Sequence, residues 1–397
     1  MKQGWTYKKL GEVCEIYNGN SINADYKKQH FYGATGGLPF IATKDVSPLG
    51  IIDYNNGVRI PNYNDFKVAP VKSVFICAEG GSAGKKFAYV EQNVCFGNKL
   101  FCLNPRNNSL AGKFLYYYIQ SDVFKEQFYA LLTGLIGGVS AKKFQTIDIS
   151  FPPLPEQQRI VSRLDTAFAH IDELKANAEK QVNEARALFQ KALTKAMEPK
   201  EGWEEKKLEE LCTDIVDCPH STPRKMDHPT KYPCIRTSEL KGGKIVWESM
   251  QYLDEVEYEV RTTRIKPQYN DIVYGREGTY GDAVLLPKGY FFSLGQRTML
   301  FRPDVKYVVP KYLHYNVISS HVYEQAKAKN SGCGVGHVNV KDIKVFKIGV
   351  PPLSEQQRIV SRLDSLSTHV RELEEVLQKT IVECDALKQA LLRKVFE

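Results

Sequence analysis

PPLPEQQRIVSRLD at 152–165 and PPLSEQQRIVSRLD at 351–364 differ only where Pro155 stands against Ser354, thirteen identities in fourteen positions. Chance does not produce such a match within 397 residues. The agreement continues upstream at nearly constant offset: Gly4-Trp5, Lys8-Lys9-Leu10 and Cys14 answer Gly202-Trp203, Lys206-Lys207-Leu208 and Cys212. Weaker matches keep the order, pairing Pro39, Ile41 and Thr43 with Pro233, Ile235 and Thr237, Glu79-Gly80 with Glu277-Gly278, and Lys113, Leu115 and Tyr117 with Lys311, Leu313 and Tyr315. The chain is a tandem duplication, each copy one globular unit followed by one helix.

The repeated motif opens that helix. Pro152, Pro153 and Pro155 end the preceding strand, Glu156 sits in the first turn where the helix dipole favours a carboxylate, and no Gly or Pro follows before Pro199. Apolar or small residues recur at alternating spacings of three and four at Leu164, Phe168, Ile171, Ala178, Val182, Ala185, Phe189, Ala192 and Ala196; Lys175 interrupts, and Leu174 is expected to substitute. The second copy carries the stripe on Leu363, Leu366, Val370, Leu373, Leu377, Ile381, Cys384, Leu387, Leu391 and Val395. Both are coiled-coil seams. About forty residues at 1.5 Å rise make a rod of roughly 60 Å, longer than a domain of this size covers, so the two helices are expected to pair with each other.

The expected fold is mixed α/β: two tandem homologous α/β domains separated by two long antiparallel helices forming a coiled coil. The boundaries are 1–151 for the first domain, 152–198 for the central helix, 199–350 for the second domain and 351–397 for the C-terminal helix. Strand-rich stretches such as LPFIATKDV, SVFICAEGG, KYPCIRTSEL and NDIVYGREG give each domain an irregular β-sheet. With 43% apolar and 25% charged residues the whole chain is expected to fold. The start has no signal-peptide core, no run approaches the eighteen apolar residues of a membrane span, and nine cysteines, an odd number without tight pairing, suit reduced thiols. A cytoplasmic protein without a membrane partner is expected.

Charge separates domains from helices. The net balance is +6 over 1–151 and +3 over 199–350, against 0 over 152–198 and −1 over 351–397. Phosphate neutralisation needs cations on the DNA-facing surface, so the domains are the candidate readers and the helices the spacers and docking surfaces. A balance of +3 over some 150 residues also suits an ordinary solvated surface; the duplication favours DNA, because two diverged units on one nearly identical frame suit a reader of two different half-sites.

Base edges are read by Arg, Lys, Asn and Gln, while Ser, Thr, Tyr and backbone amides hold phosphates. Loops at matching positions give four paired candidates: Thr43 and Lys44 with Arg236, Thr237 and Ser238; Lys85 and Lys86 with Arg276, Thr279 and Tyr280; Asn98 and Lys99 with Gln296 and Arg297; and Ser140, Lys142 and Lys143 with Asn339 and Lys341. On the helices, Gln157, Arg159 and Arg163 recur unchanged as Gln356, Arg358 and Arg362. Either these cap and pair the rods or they bind a partner; partner binding is the preferred reading.

Catalytic readings fare poorly. GGSAGKK at 80–86 is one residue short of a phosphate-binding loop, and its counterpart has Asp282 where a lysine is wanted. Cys212, Cys218, His220, His228 and Cys234 include no C-x-x-C pair, so no metal site is expected. The two Pro-Pro pairs follow Phe151 and Val350 and precede Leu, unlike the Pro-Pro-aromatic loop that holds a flipped base in adenine methyltransferases. A binder rather than an enzyme is expected; a coiled-coil scaffold for proteins alone and a fused nuclease or methylase are the alternatives.

At the two PPLxEQQRIVSRLD segments, and in the openings GWTYKKLGEVCEI and GWEEKKLEELCTDI, the sequence resembles the type I restriction-modification specificity subunits over essentially its whole length. The resemblance implies that 1–151 and 199–350 are target-recognition domains, each reading one half of an interrupted sequence in double-stranded DNA. It further implies that two methyltransferase (M) subunits dock on the helical frame and that restriction (R) subunits join the full complex. This chain would then be the non-catalytic specificity subunit, with no cofactor of its own: S-adenosylmethionine, ATP and Mg would belong to partner subunits. One departure is Glu204-Glu205 and Glu209-Glu210 in place of Thr6-Tyr7 and Gly11-Glu12, an acidic patch expected to face partner or solvent rather than phosphate.

Overall fold

A computed structural model describes residues 2–132, 138–278, 281–329 and 336–397. The helices expected over 152–198 and 351–397 span Leu154–Met197 and Leu353–Phe396. The chain forms two compact units, Met1–Glu179 with Lys379–Glu397, and Lys180–Gln378. Each unit therefore holds one globular domain plus part of both long helices, which the linear division at 151, 198 and 350 does not convey.

In the first unit the opening strand Thr6–Lys9 pairs antiparallel with the closing strand Asp148–Phe151, so the domain ends where it began and delivers the chain into the central helix. A four-stranded antiparallel sheet runs in the order Cys14–Asn18, Leu100–Pro105, Val74–Cys77, Phe87–Tyr89. A second sheet is built around Leu38–Ile41, which lies parallel to Val94–Phe96. The strands are short and rich in β-branched and aromatic residues, which suit a pleated surface packed on both faces.

Phe114, Tyr118, Phe124, Phe128 and Phe144 fill the main core of this unit. Leu392 and Phe396, from the end of the C-terminal helix, complete it; the Phe396 ring lies 5.3 Å from that of Phe114 and 5.6 Å from that of Tyr118. Burying one such ring is worth about 1.5–3 kcal/mol, so the helix end is firmly anchored to the domain. Here the two long helices run antiparallel: Asp172 pairs with Lys388 at 2.5 Å and Lys175 with Asp385 at 2.8 Å.

The second unit repeats the plan. Glu204–Lys207 pairs antiparallel with Lys347–Val350, the main sheet runs Cys212–Asp217, Thr298–Pro303, Ile272–Gly275, Ala283–Leu285, and Pro233–Ile235 lies parallel to Ser293–Leu294. Its core joins Tyr274, Phe301, Tyr312 and Phe346 to Leu193 and Met197 of the central helix and Ile359 and Leu363 of the C-terminal helix. Arg186 pairs with Glu374 at 2.8 Å. The acidic opening expected to face partner or solvent is exposed and locally neutralised, Glu205 by Lys347 at 2.8 Å and Glu204 by Lys206 at 3.1 Å.

Two details of the seams differ from the sequence expectation. Leu174 does not substitute for Lys175: it is 52% exposed, while Lys175 keeps the seam position and sends its ammonium to Asp385. A lysine can do this because its stem covers apolar surface while its head reaches the edge. Leu373 and Leu387 are likewise exposed, and the fully covered line on the C-terminal helix passes through Leu363, Leu377, Cys384, Leu392 and Phe396. The neighbouring domains, and not the helix pair alone, determine which side chains are covered.

Candidate nucleic-acid interface

In the first unit four loops far apart in sequence are knitted together around Ala78, just past the end of strand Val74–Cys77. The Ala78 amide donates to the Lys99 carbonyl at 3.1 Å, and the Ala78 carbonyl accepts from Val139 at 3.1 Å, one residue before Ser140. Cys77 donates to the Lys86 carbonyl at 2.8 Å, and Lys86 Nζ reaches the Thr43 carbonyl at 2.9 Å. Gly97 donates to Ile41 at 2.9 Å, closing the circle beside Asn98. All four candidate clusters of this domain thus lie at one end of the sheet.

The same hub recurs in the second unit around Arg276. Its amide donates to the Arg297 carbonyl at 3.0 Å, its carbonyl accepts from Val338 at 3.0 Å, and Gly295 donates to Ile235 at 2.7 Å. This places Gln296, Arg297, Arg236 and Asn339 around one centre. Thr279 and Tyr280 lie outside the described residues.

The two hubs differ in their side chains. In the first unit Lys44, Lys85, Lys99, Lys142 and Lys143 are exposed with no ion-pair partner among the described residues, an arrangement suited to phosphate. Thr43 opens a short turn braced by Asp45, whose carboxylate accepts from the Ala42 amide at 2.8 Å; Ser140 caps the turn Ala141–Phe144 by accepting from Lys143 N at 3.3 Å.

In the second unit much of the expected positive charge is held within the domain. Arg276 is 6% exposed and bridges Asp217 at 3.0 Å and Glu277 at 3.2 Å, so its guanidinium does not stand free on the surface as the sequence reading placed it. Arg236 bonds Glu239, a fully buried carboxylate, at 2.6 Å, and Gln296 donates to the His220 carbonyl at 3.0 Å. Arg297 is the outer member of the web, with an exposed side chain 3.3 Å from Glu277. Ser238 and Lys341 are exposed, while Thr237 and Asn339 are half-buried. Burial raises the Asp282 carboxyl above the ordinary aspartate range, and that carboxyl accepts from Gly242 N at 3.2 Å.

Several members of these hubs were not among the contact candidates read from the sequence, a set that held no carboxylates and no histidines. Asp217, Glu277, His220 and His337 complete the ionic web, with His337 Nδ1 3.1 Å from Glu277 and His220 Nε2 3.3 Å from Asp217. In the first unit Asn18 and Asn20 hold exposed Lys67, which donates from Nζ to Asn18 at 3.2 Å and from its amide to Asn20 at 2.7 Å. The run YNGN at 17–20 was the available signal. Gly19 within it admits no side chain, since a Cβ would fall 2.0 Å from the Phe96 carbonyl oxygen. Cys218 and Cys234 are buried, and burial pushes the Cys212 thiol up to about 12, as expected of packed thiols.

The helix candidates divide. Gln157 and Gln356 are fully buried, their amides bonded to backbone groups of the adjoining domain, so they are not available to a partner, and they join helix to domain instead of pairing the rods. Arg159, Arg163, Arg358 and Arg362 are exposed. Arg159 and Arg358 pair with Glu156 and Glu355, three residues earlier, at 2.6 and 3.3 Å. Beside Arg159 and Arg163, a groove floored by Trp5, Ile160, Leu391 and Val395 opens in the first unit; beside Arg358 and Arg362, another is lined by Ala192, Ala196, Ile359 and Leu366 in the second.

The family model for the type I restriction modification DNA specificity domain matches this chain twice, over residues 2–184 and 200–383. The chain belongs to that family. Among relatives of the specificity family, the EcoKI specificity subunit of Escherichia coli (strain K12) is 25% identical over 429 residues, covering 100% of this chain and 89% of that one. The EcoBI specificity subunit of Escherichia coli is 21% identical, covering 99% and 85%. Among solved structures, a chain from the assembled type I R-M system has a TM-score of 0.76 at 20% identity, covering 100% of this chain and 98% of that one. The HsdS subunit of Thermoanaerobacter tengcongensis gives 0.56 at 20%, covering 100% and 97%. At such identities the structures speak for the specificity fold; the hubs' side chains are this chain's own.

Proposed function

We infer that this chain is the DNA sequence-specificity subunit of a type I restriction-modification complex, reading an interrupted target with one domain per half-site. The observation that carries this reading is the paired hub: in each domain, loops from four parts of the sequence meet at one end of a sheet, and they carry different side chains on the same backbone frame. A common scaffold with divergent tips suits two readers of different bases. The first hub offers lysines without ion-pair partners among the described residues, suited to phosphate, and the second offers Arg297 at the outer edge of an internally paired ionic web, suited to a base edge.

M subunits dock, in this proposal, on the exposed arginines Arg159, Arg163, Arg358 and Arg362 and the apolar grooves beside them, and R subunits join the full complex. The chain itself is non-catalytic; S-adenosylmethionine, ATP and Mg are assigned to the partners. No helix among the described residues is long and apolar enough to cross a membrane, and the proposed setting is the cytoplasm.

The test is to map methylated sites in cells carrying this chain with its methyltransferase. An interrupted sequence is expected, and exchanging residues 1–151 for those of a relative should change one half only. A continuous target refutes the reading. Absence of salt-dependent DNA affinity in the assembled complex would favour a protein scaffold instead.

A further inference from the structure

Two side chains near the start of each long helix grip the domain before it, and the grip has the same form in both units. In the first, Gln157 Oε1 accepts from the Ala111 amide at 2.8 Å, while its Nε2 donates to the Ser109 and Pro152 carbonyls at 2.7 and 2.8 Å. Two turns further on, Asp165 accepts from Lys113 Nζ at 3.0 Å and from the Tyr117 hydroxyl at 2.5 Å. In the second, Gln356 accepts from Val309 N at 2.8 Å and donates to the Tyr307 and Pro351 carbonyls at 3.1 and 2.9 Å. Asp364 accepts from the Tyr315 hydroxyl at 2.5 Å and lies 3.5 Å from Lys311 Nζ.

The aspartates' partners lie on one short helix of each domain, Gly112–Tyr118 or Pro310–Val317, and the glutamine bonds that helix's N-cap residue, Ala111 or Val309. Gln157 and Asp165 stand eight residues apart, about 12 Å along the long helix. Apolar packing of Leu164 and Phe168, or of Ile359 and Leu363, against the same domain is not directional, and two directed polar attachments at that separation add the orientation it lacks. None of these residues belongs to the loop hubs around Ala78 and Arg276.

The geometry points to Gln157 with Asp165, and Gln356 with Asp364, as positioning residues for target recognition: they fix the angle at which each recognition domain leaves its own helix, and with it the single gap length at which both half-sites can be read. This rests on the interrupted-target reading above. One base pair more or less in the gap moves a half-site by about 3.4 Å and turns it by about 35°. The core packing of Leu164 and Phe168, or of Ile359 and Leu363, keeps each domain on its helix, and the two polar attachments narrow the angles open to it; loosening one of them lets the domain follow part of that displacement.

The experiment uses the assembled methyltransferase complex carrying Asp165→Asn, Asp364→Asn or the milder Tyr117→Phe. Each is given a DNA library in which both half-sites are fixed and the gap runs from two base pairs shorter to two longer, and methylated molecules are counted by sequencing. The unaltered chain is expected to modify one gap. Each variant should raise the share modified at the neighbouring gaps about tenfold, the factor that corresponds to removal of one charge-assisted hydrogen bond, with the same bases read. Lost folded protein lowers modification at every gap by the same factor, so the ratio between gaps isolates positioning from stability. Unchanged ratios in all three variants, or altered bases at an unaltered gap, overturn the proposal. An unaltered chain that modifies a continuous sequence overturns the interrupted-target reading itself, and the positioning role with it.

Discussion

The buried Gln157 side chain accepts a hydrogen bond from the Ala111 amide at 2.8 Å, joining the first turn of the central helix to the N-cap of Gly112–Tyr118. Replacing Gln157 by Leu leaves the half-buried Ala111 amide, the Ser109 carbonyl and the buried Pro152 carbonyl without that partner. The expected cost is about 3 kcal/mol. Urea unfolding followed by far-ultraviolet circular dichroism should show a lower midpoint for the first unit; a midpoint equal to that of the unaltered chain would contradict this account.

His314 supplies a pH test. It is buried, its Nε2 lies 3.1 Å from the Ala283 carbonyl, and Nδ1 has no hydrogen-bond partner among the described residues. Burial pulls its pKa down from 6.5 to about 4. Between those values the unfolded chain binds the proton and the folded chain does not, so stability is present above pH 6.5 and is lost as pH falls toward 4. The loss attributable to this group reaches about 3 kcal/mol. His314→Gln should flatten the stability profile of the second unit across that window; an equally steep profile in the variant would remove His314 as its source.

The exposed lysines of the first hub should act through phosphate. Replacing Lys44, Lys85 and Lys99 together by Gln lowers affinity for all sequences alike. The slope of log affinity against log salt should also fall, by about 0.9 for each phosphate no longer neutralised and hence by about 2.7 for the triple variant. Fluorescence anisotropy of the assembled complex over a salt series measures both. An unchanged slope with altered base preference would assign these side chains to base edges instead.

In the second hub, two arginines of one web should respond differently. Arg276→Met removes the most buried partner of Asp217 and Glu277, which keep His220 on one side and His337 and Arg297 on the other, and should cost about 2 kcal/mol of stability, the usual penalty for breaking a buried pair discounted for those partners and for the partial exposure of both carboxylates. Arg297→Met removes an exposed partner, leaves stability within about 0.5 kcal/mol, and weakens discrimination at the second half-site only. Thermal unfolding together with methylation mapping separates the two; equal stability losses would show the web to be one structural unit.

The convergence around Ala78 was half visible in sequence. The weak matches between the two copies named the loops, but only the bonds from Ala78 to Lys99 and from Val139 to Ala78 show that they meet. The neutralisation of Arg276 was not visible, because Asp217 and Glu277 close on it from 59 residues away on one side and one residue away on the other, and charge counted along the chain cannot distinguish a free guanidinium from a paired one. Gln157 could have been placed sooner: it stands seven residues before Leu164 and shares the inner face, whereas Arg159 and Arg163 share the outer one.

By itself the sequence determined the duplication, the two long helices, the charge difference between domains and helices, and the family, since these are carried by local identity, periodicity and residue type. Tertiary structure alone decided which repeated residues are spent inside the chain, Gln157 and Gln356 against Arg159 and Arg358, and which cations stand exposed without an ion-pair partner among the described residues, Lys85 against Arg276. The physical reason is that burial and pairing arise between distant segments, and their energies are fixed by the partner that arrives and not by the residue that waits for it.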